Sequence, residues 1–94
     1  MVTTSLLEIN IRWLLERVEM IAGIRLPKKI IEVSLSEGVL HIRFAYPKTR
    51  ETEGEPLPLE APAVLFRDEE TGEITALEIV DIDDALEELG RIAR

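Results

Sequence analysis

The stretch Ile30-Ile31-Glu32-Val33-Ser34-Leu35-Ser36-Glu37-Gly38-Val39-Leu40-His41-Ile42-Arg43-Phe44-Ala45-Tyr46 decides the fold. Two segments of alternating apolar and polar residues flank Glu37-Gly38, and period-two alternation broken by a glycine turn predicts a β-hairpin over 30–46. Opposing Leu35 with Leu40, Val33 with Ile42 and Ile31 with Phe44 gathers six large apolar groups on one face. A slip of one residue would scatter them over both faces, so a buried face specifies the register strongly. The same register sets Glu32 opposite Arg43, a favourable cross-strand pair of roughly 0.2–1 kcal/mol, and Ser34 opposite His41. Glu37-Gly38 is then a two-residue loop in which Gly38 takes positive φ cheaply. Asn would suit the first loop position better than Glu37, which leaves the turn type open.

Outward from the hairpin, Ser5-Leu6-Leu7-Glu8 fits a capping box and opens an amphipathic helix over 5–22. Leu7, Ile11, Leu14, Val18 and Ile21 repeat at four-three spacing along one stripe, and Gly23 supplies the stop. With Trp13 beside it, this stripe is wider than one small sheet needs. Leu7, Ile11, Trp13, Leu14, Val18 and Ile21 are therefore the candidate interface, with Trp13 as its aromatic anchor. Residues 47–62 hold four prolines and Gly54 and read as an irregular Pro-rich loop. A second alternating pair over 63–80 turns at Asp68-Glu69-Glu70-Thr71-Gly72. Opposing Phe66 with Thr75 and Val64 with Leu77 puts Val64, Phe66, Leu77 and Ile79 on one face. Asp83 is placed to cap a final helix over 82–93, with Ile82, Leu86, Leu89 and Ile92 as its stripe and Asp84, Glu87 and Glu88 outward. The expected architecture is one α+β domain over 1–94: a small antiparallel four-stranded sheet made of two hairpins, with an N-terminal and a C-terminal helix.

Composition narrows the function classes. The chain of 94 residues is 46% hydrophobic and 32% charged, a folding profile rather than a disordered one. No apolar run approaches the ~20 residues of a membrane span, and the N-terminus lacks the pattern of a signal peptide. With no cysteine, disulfide and thiolate chemistry are excluded and a cytoplasmic location is expected. The chain has no Gln and a single Asn, Asn10, beside abundant charge, a thermophile-like composition. The net charge of −8 is uneven. Residues 25–50 carry Arg25, Lys28, Lys29, Arg43, Lys48 and Arg50 against Glu32 and Glu37, whereas carboxylates dominate after residue 50. Overall acidity argues against nucleic acid as a partner, because phosphate binding depends on Lys and Arg.

Gly38-Val-Leu-His-Ile-Arg-Phe44, Ala63-Val-Leu-Phe-Arg-Asp68 and Gly72-Glu-Ile-Thr-Ala-Leu-Glu-Ile-Val-Asp81 together resemble domain-of-unknown-function family 2283, over residues 33–81. The likeness is one of strands and turns. The family's acidic residue before its first strand motif is Gly38 here, its tyrosine is His41, and the glycine inside its last strand is Ala76. Leu40, Ile42, Gly72, Leu77, Glu78 and Ile79 match as fold determinants. What the resemblance implies is no established activity and an interaction role, some members sitting beside small toxin-like partners.

The residues that could carry chemistry are few. His41 is the only histidine, and Glu32, His41, Arg43 and Glu78 form a candidate polar patch. A His–carboxylate–Arg group suits acid–base work, yet no paired nucleophile or oxyanion loop accompanies it. Asp81, Asp83, Asp84 and Glu87 are explained by helix capping and the helix dipole before any cation. No metal or cofactor is expected, and no enzyme activity. The expected function is a noncatalytic protein-interaction or self-association module, a homodimer or the binder of a small protein partner; the alternative is a small nucleic-acid-binding or antitoxin-like regulator.

Overall fold

A computed structural model describes residues 5–91. The first helical stretch is divided. Leu6–Glu8 form a single 3-10 turn, and the helix α1 spans Ile11–Ala22. The Glu8 carboxylate accepts from the Ser5 N–H at 2.9 Å, so the expected capping contact closes the short turn instead of the long helix. Asn10 caps α1, its side-chain oxygen accepting from the Trp13 N–H at 3.0 Å. An Asn in extended backbone satisfies an orphan N–H better than continued helix does, and this breaks the run expected over 5–22. Gly23 ends α1 at φ 67°, its N–H on the Glu19 carbonyl. The Glu19 side chain also accepts from the Leu26 N–H at 2.7 Å and turns the chain toward the sheet.

The first ribbon, β1 (Glu32–Ser36) and β2 (Val39–Arg43), has the expected register. Leu35 faces Leu40, Val33 faces Ile42, Ser34 faces His41 and Glu32 faces Arg43. Glu37 at φ 52° and Gly38 at φ 81° give the two positive values of a type I′ turn. The ladder stops short of Ile31 and Phe44, because the Ile31 N–H bonds the Arg43 carbonyl and the Phe44 N–H bonds the Thr75 carbonyl.

The sheet has five strands where four were expected, all antiparallel, in the order β1-β2-β5-β4-β3. The extra strand β3 (Glu55–Pro56) comes out of the Pro-rich loop and pairs with β4 (Ala63–Arg67). An edge position tolerates Pro56, since a missing N–H there costs no ladder bond. The register of β4 with β5 (Ile74–Ile79) differs by one residue from that expected: Phe66 faces Ala76, Leu65 faces Leu77 and Val64 faces Glu78. A shift between Phe66 and Arg67 is responsible, and it puts Ala63, Leu65, Leu77 and Ile79 on the core side. Val64 and Phe66 are thereby turned to the opposite face.

Helix α2 covers Ile82–Gly90 and is capped by Asp81, not Asp83, through the Asp84 N–H. Ile92, the last position of the expected stripe, lies outside the described residues. Glu88 does not point outward as expected. Its carboxylate accepts from the Glu60 and Ala61 N–H groups at 2.8 and 3.0 Å and ties the Pro-rich loop to α2. Both helices cover one face of the sheet. Leu14 and Val18 of α1 and Ile82, Ala85 and Leu89 of α2 are buried in one cluster with Leu40, Ile42, Leu65, Leu77 and Ile79. No helix among the described residues is long and apolar enough to cross a membrane.

Candidate functional site

The face of the sheet away from the helices collects the polar side chains. Strand alternation puts Glu32, His41, Arg43 and Glu78 there together, as the sequence pattern predicted. His41 and Glu78 are directly opposed on β2 and β5, with Nδ1 and Oε2 3.2 Å apart. Arg43 turns to a carboxylate of the Pro-rich loop, Glu51. Its guanidinium donates to Glu51 at 2.8 and 3.4 Å and to the Ala45 carbonyl at 3.0 Å. The Thr75 hydroxyl also donates to Glu51, and the Tyr46 ring lies 5.7 Å from the Arg43 carbon.

Glu51 and Arg43 are 22% and 15% exposed, so the pair is screened less than a surface pair. The guanidinium beside Glu51 holds its carboxyl below the usual range, with Thr75 adding to the effect against burial. Glu51 in return raises Arg43. Its one sequence signal is its place on the segment that lies antiparallel to the end of β4, where Glu51 bridges Asp68. That pairing is non-local and gives no periodic pattern.

Asp68 is a second organising carboxylate. Buried at the start of the β4–β5 turn, it accepts N–H bonds from Lys48 at 3.0 Å, Glu70 at 2.8 Å and Thr71 at 3.3 Å. These donors lower its pKa, the Lys48 amide contributing most. Asp68 thus links the turn to the Pro-rich loop. At the other end of β5, Asp84 is raised by the neighbouring Asp81 carboxylate. Of this acidic cluster, Asp81 caps α2 by accepting from the Asp84 N–H.

The six candidate interface residues divide by depth. Leu14 and Val18 are fully buried within the chain, while Ile11, Trp13 and Ile21 are half-buried against the core. Leu7 is 99% exposed. Trp13 has the Arg17 guanidinium 5.4 Å over its ring. Most of the wide apolar face is therefore used by the chain's own core. The apolar surface that remains gathers elsewhere too. Ile30 and Ile31, on the approach to β1, are 36% and 37% exposed, and Val33 and Leu35 on β1 itself are half-buried. A groove of about 390 Å³ runs between α1 and the segment before β1, and its lining is mixed: apolar Ile11, Leu15, Leu26 and Ile30 beside charged Arg12, Glu16, Glu19 and Lys28.

The basic segment is partly neutralised within the chain: Arg43 pairs with Glu51 and Arg50 with Glu69. No protein-family model, no curated protein and no solved structure matches the chain.

Proposed function

We propose that the protein is a noncatalytic interaction module that self-associates as a homodimer. The observation behind this reading is the incomplete cover at one flank. Leu40 and Ile42 of β2 are fully buried, whereas their neighbours Val33 and Leu35 on β1, with Ile30 and Ile31 before them, keep apolar surface in water. Burying such surface is favourable by roughly 25 cal/mol per Å², and two-fold assembly is the commonest way for one chain to achieve it. On the outer face His41 pairs with Glu78, and Glu51 accepts from Arg43 and Thr75, so these polar groups are satisfied within the chain in two separate sets. A small nucleic-acid-binding or antitoxin-like regulator is the weaker alternative, because net charge is −8 and two of the segment's arginines are already paired.

Sedimentation equilibrium is the test. The expected result is a mass near twice the chain's 10.7 kDa at high concentration. A species that stays at the single-chain mass throughout the concentration range removes the reading.

A further inference from the structure

The two edges of the sheet are built differently. The β3 edge is two residues long and includes Pro56, which has no N–H to offer. The β1 edge is five residues long, contains no Pro or Lys, and keeps regular register with β2 throughout. A two-residue turn makes Ser36–Val39 the closing hydrogen-bonded pair, so alternation directs the bonding groups of Ser34 and Glu32 toward β2. Val33 and Leu35 then turn their N–H and C=O groups away from the sheet. Natural proteins blunt such a row with Lys, Pro or a bulge, since it templates another strand. β1 has none of these.

Resting on the homodimer reading, we propose that β1 pairs antiparallel with β1 of a second copy about a two-fold axis at Ser34, joining two five-stranded sheets into one of ten strands. The strand is complementary to itself in that register. Val33 meets Leu35 of the partner subunit, Ser34 meets its own copy, and Glu32 meets Ser36 of the partner subunit. All five residues pair and no like charges are opposed. An axis at Glu32 would set two carboxylates face to face, and a slip of one residue would oppose core-side Val33 to outward Ser34. The axis is perpendicular to the sheet, so both helix layers lie on one side. Val33 and Leu35 then become interior positions of a continuous core instead of its margin.

The chain has no cysteine, which permits a direct test of register. In the proposed dimer the Ser34 pair is not hydrogen-bonded, with Cα atoms ~4.5 Å apart, inside the range a disulfide spans. The copies of Ser36 lie about 13 Å apart, four residues along the strands. Under mild oxidation Ser34→Cys should give a covalent dimer on a non-reducing gel, at a rate insensitive to dilution above the dimer's Kd, while Ser36→Cys stays single. Ser34 is exposed in the single chain, so Ser34→Lys should leave the circular dichroism spectrum unchanged and weaken the dimer about ten-fold or more by opposing two ammonium groups. A wild-type dimer in which Ser34→Cys remains reduced and Ser34→Lys associates normally overturns the edge pairing but keeps the self-association. A wild-type protein that is single-chain at all concentrations overturns both.

Discussion

The two ribbons of the sheet are made from similar alternating sequence but are held in register by different means. In the first, Glu37 and Gly38 complete a two-residue turn, and turn geometry and apolar pattern demand the same pairing. In the second, the turn is longer and is organised by buried Asp68, and the ladder shifts between Phe66 and Arg67. A tight turn leaves the apolar pattern to set the faces. A turn built around a buried acid introduces an irregularity, and side chains beyond it change sides. The most sensitive test of this contrast is core truncation on β4. Leu65→Ala should cost about 2–5 kcal/mol, as for other fully buried leucines. Val64→Ala, on the outer face and half exposed, should cost about 1 kcal/mol. Urea unfolding of both variants checks the order. If Val64→Ala proved the costlier, the face assignment of the second ribbon would be wrong.

Acid should separate the two ribbons next. Glu51 and Asp68 both have depressed folded-state pKa values, Glu51 through Arg43 and Asp68 through the Lys48, Glu70 and Thr71 amides. A depressed carboxylate contributes stability that is fully present above its unfolded value, near 4.5 for Glu51 and 3.8 for Asp68. That contribution is lost as pH falls through the folded-state values. Asp84, raised by Asp81, acts in the opposite sense, since protonation relieves its repulsion. Asp68 ties Lys48 to the second ribbon, whereas Glu51 joins Arg43 of the first to Thr75 of the second. The amides of Lys48, Glu70 and Thr71 should therefore lose hydrogen-exchange protection below pH 3.8, as Asp68 takes up its proton, before those of β1 and β2. Glu51→Gln should cost about 1–2 kcal/mol at neutral pH and flatten the acid limb of a urea-midpoint profile. An unchanged acid limb would remove Glu51 from this account.

How much of this was legible beforehand follows the same division. The α+β class, the first ribbon's register and the outer-face grouping of Glu32, His41, Arg43 and Glu78 all follow from alternation and a glycine turn, which are local signals. Of the six residues that the resemblance singles out, Leu40, Ile42, Leu77 and Ile79 are fully buried and Gly72 has φ 80°, while Glu78 is half-buried on the outer face beside His41. What escaped depends on contacts distant in sequence. Glu51 finds Arg43 and Thr75, Asp68 finds the Lys48 amide, and Glu88 finds the Glu60 and Ala61 amides. Strand β3 escaped because two residues including a proline show no alternation. Asn10 and Asp81 are local cap signals, and reading Asn10 as a cap shortens the first helix and reduces the apparent surplus of its apolar face.

The glycines of the two turns offer a smaller comparison. Gly38 and Gly72 have φ of 81° and 80°, and a Cβ at either position would meet open space. Gly38→Ala and Gly72→Ala should therefore each lower stability by about 1 kcal/mol, from backbone strain alone. Equal losses in thermal unfolding are expected. A much larger loss at Gly72 would mean that the Asp68 turn has further constraints on its backbone.

The smallest effect should be a gain, and it should exist in only one ribbon. Glu37 is the one described non-glycine residue at positive φ, a conformation that costs an ordinary L-residue about 1 kcal/mol or more and that Asn tolerates well. Its side chain is exposed, so replacement removes little packing. Glu37→Asn should raise stability by about 0.5–1 kcal/mol, read as a higher urea midpoint at unchanged slope. The second turn has no counterpart, because its described position of positive φ is already occupied by Gly72. The gain should also extend beyond the hairpin. The Gly38 carbonyl accepts from the Ile82 N–H at 2.9 Å, so a firmer turn anchors the first residue of α2. Slower exchange at the Ile82 amide would then accompany the shifted midpoint. A midpoint that does not move would mean that Glu37 is not strained, and that the first turn owes its geometry to the α2 anchor and not to its own two residues.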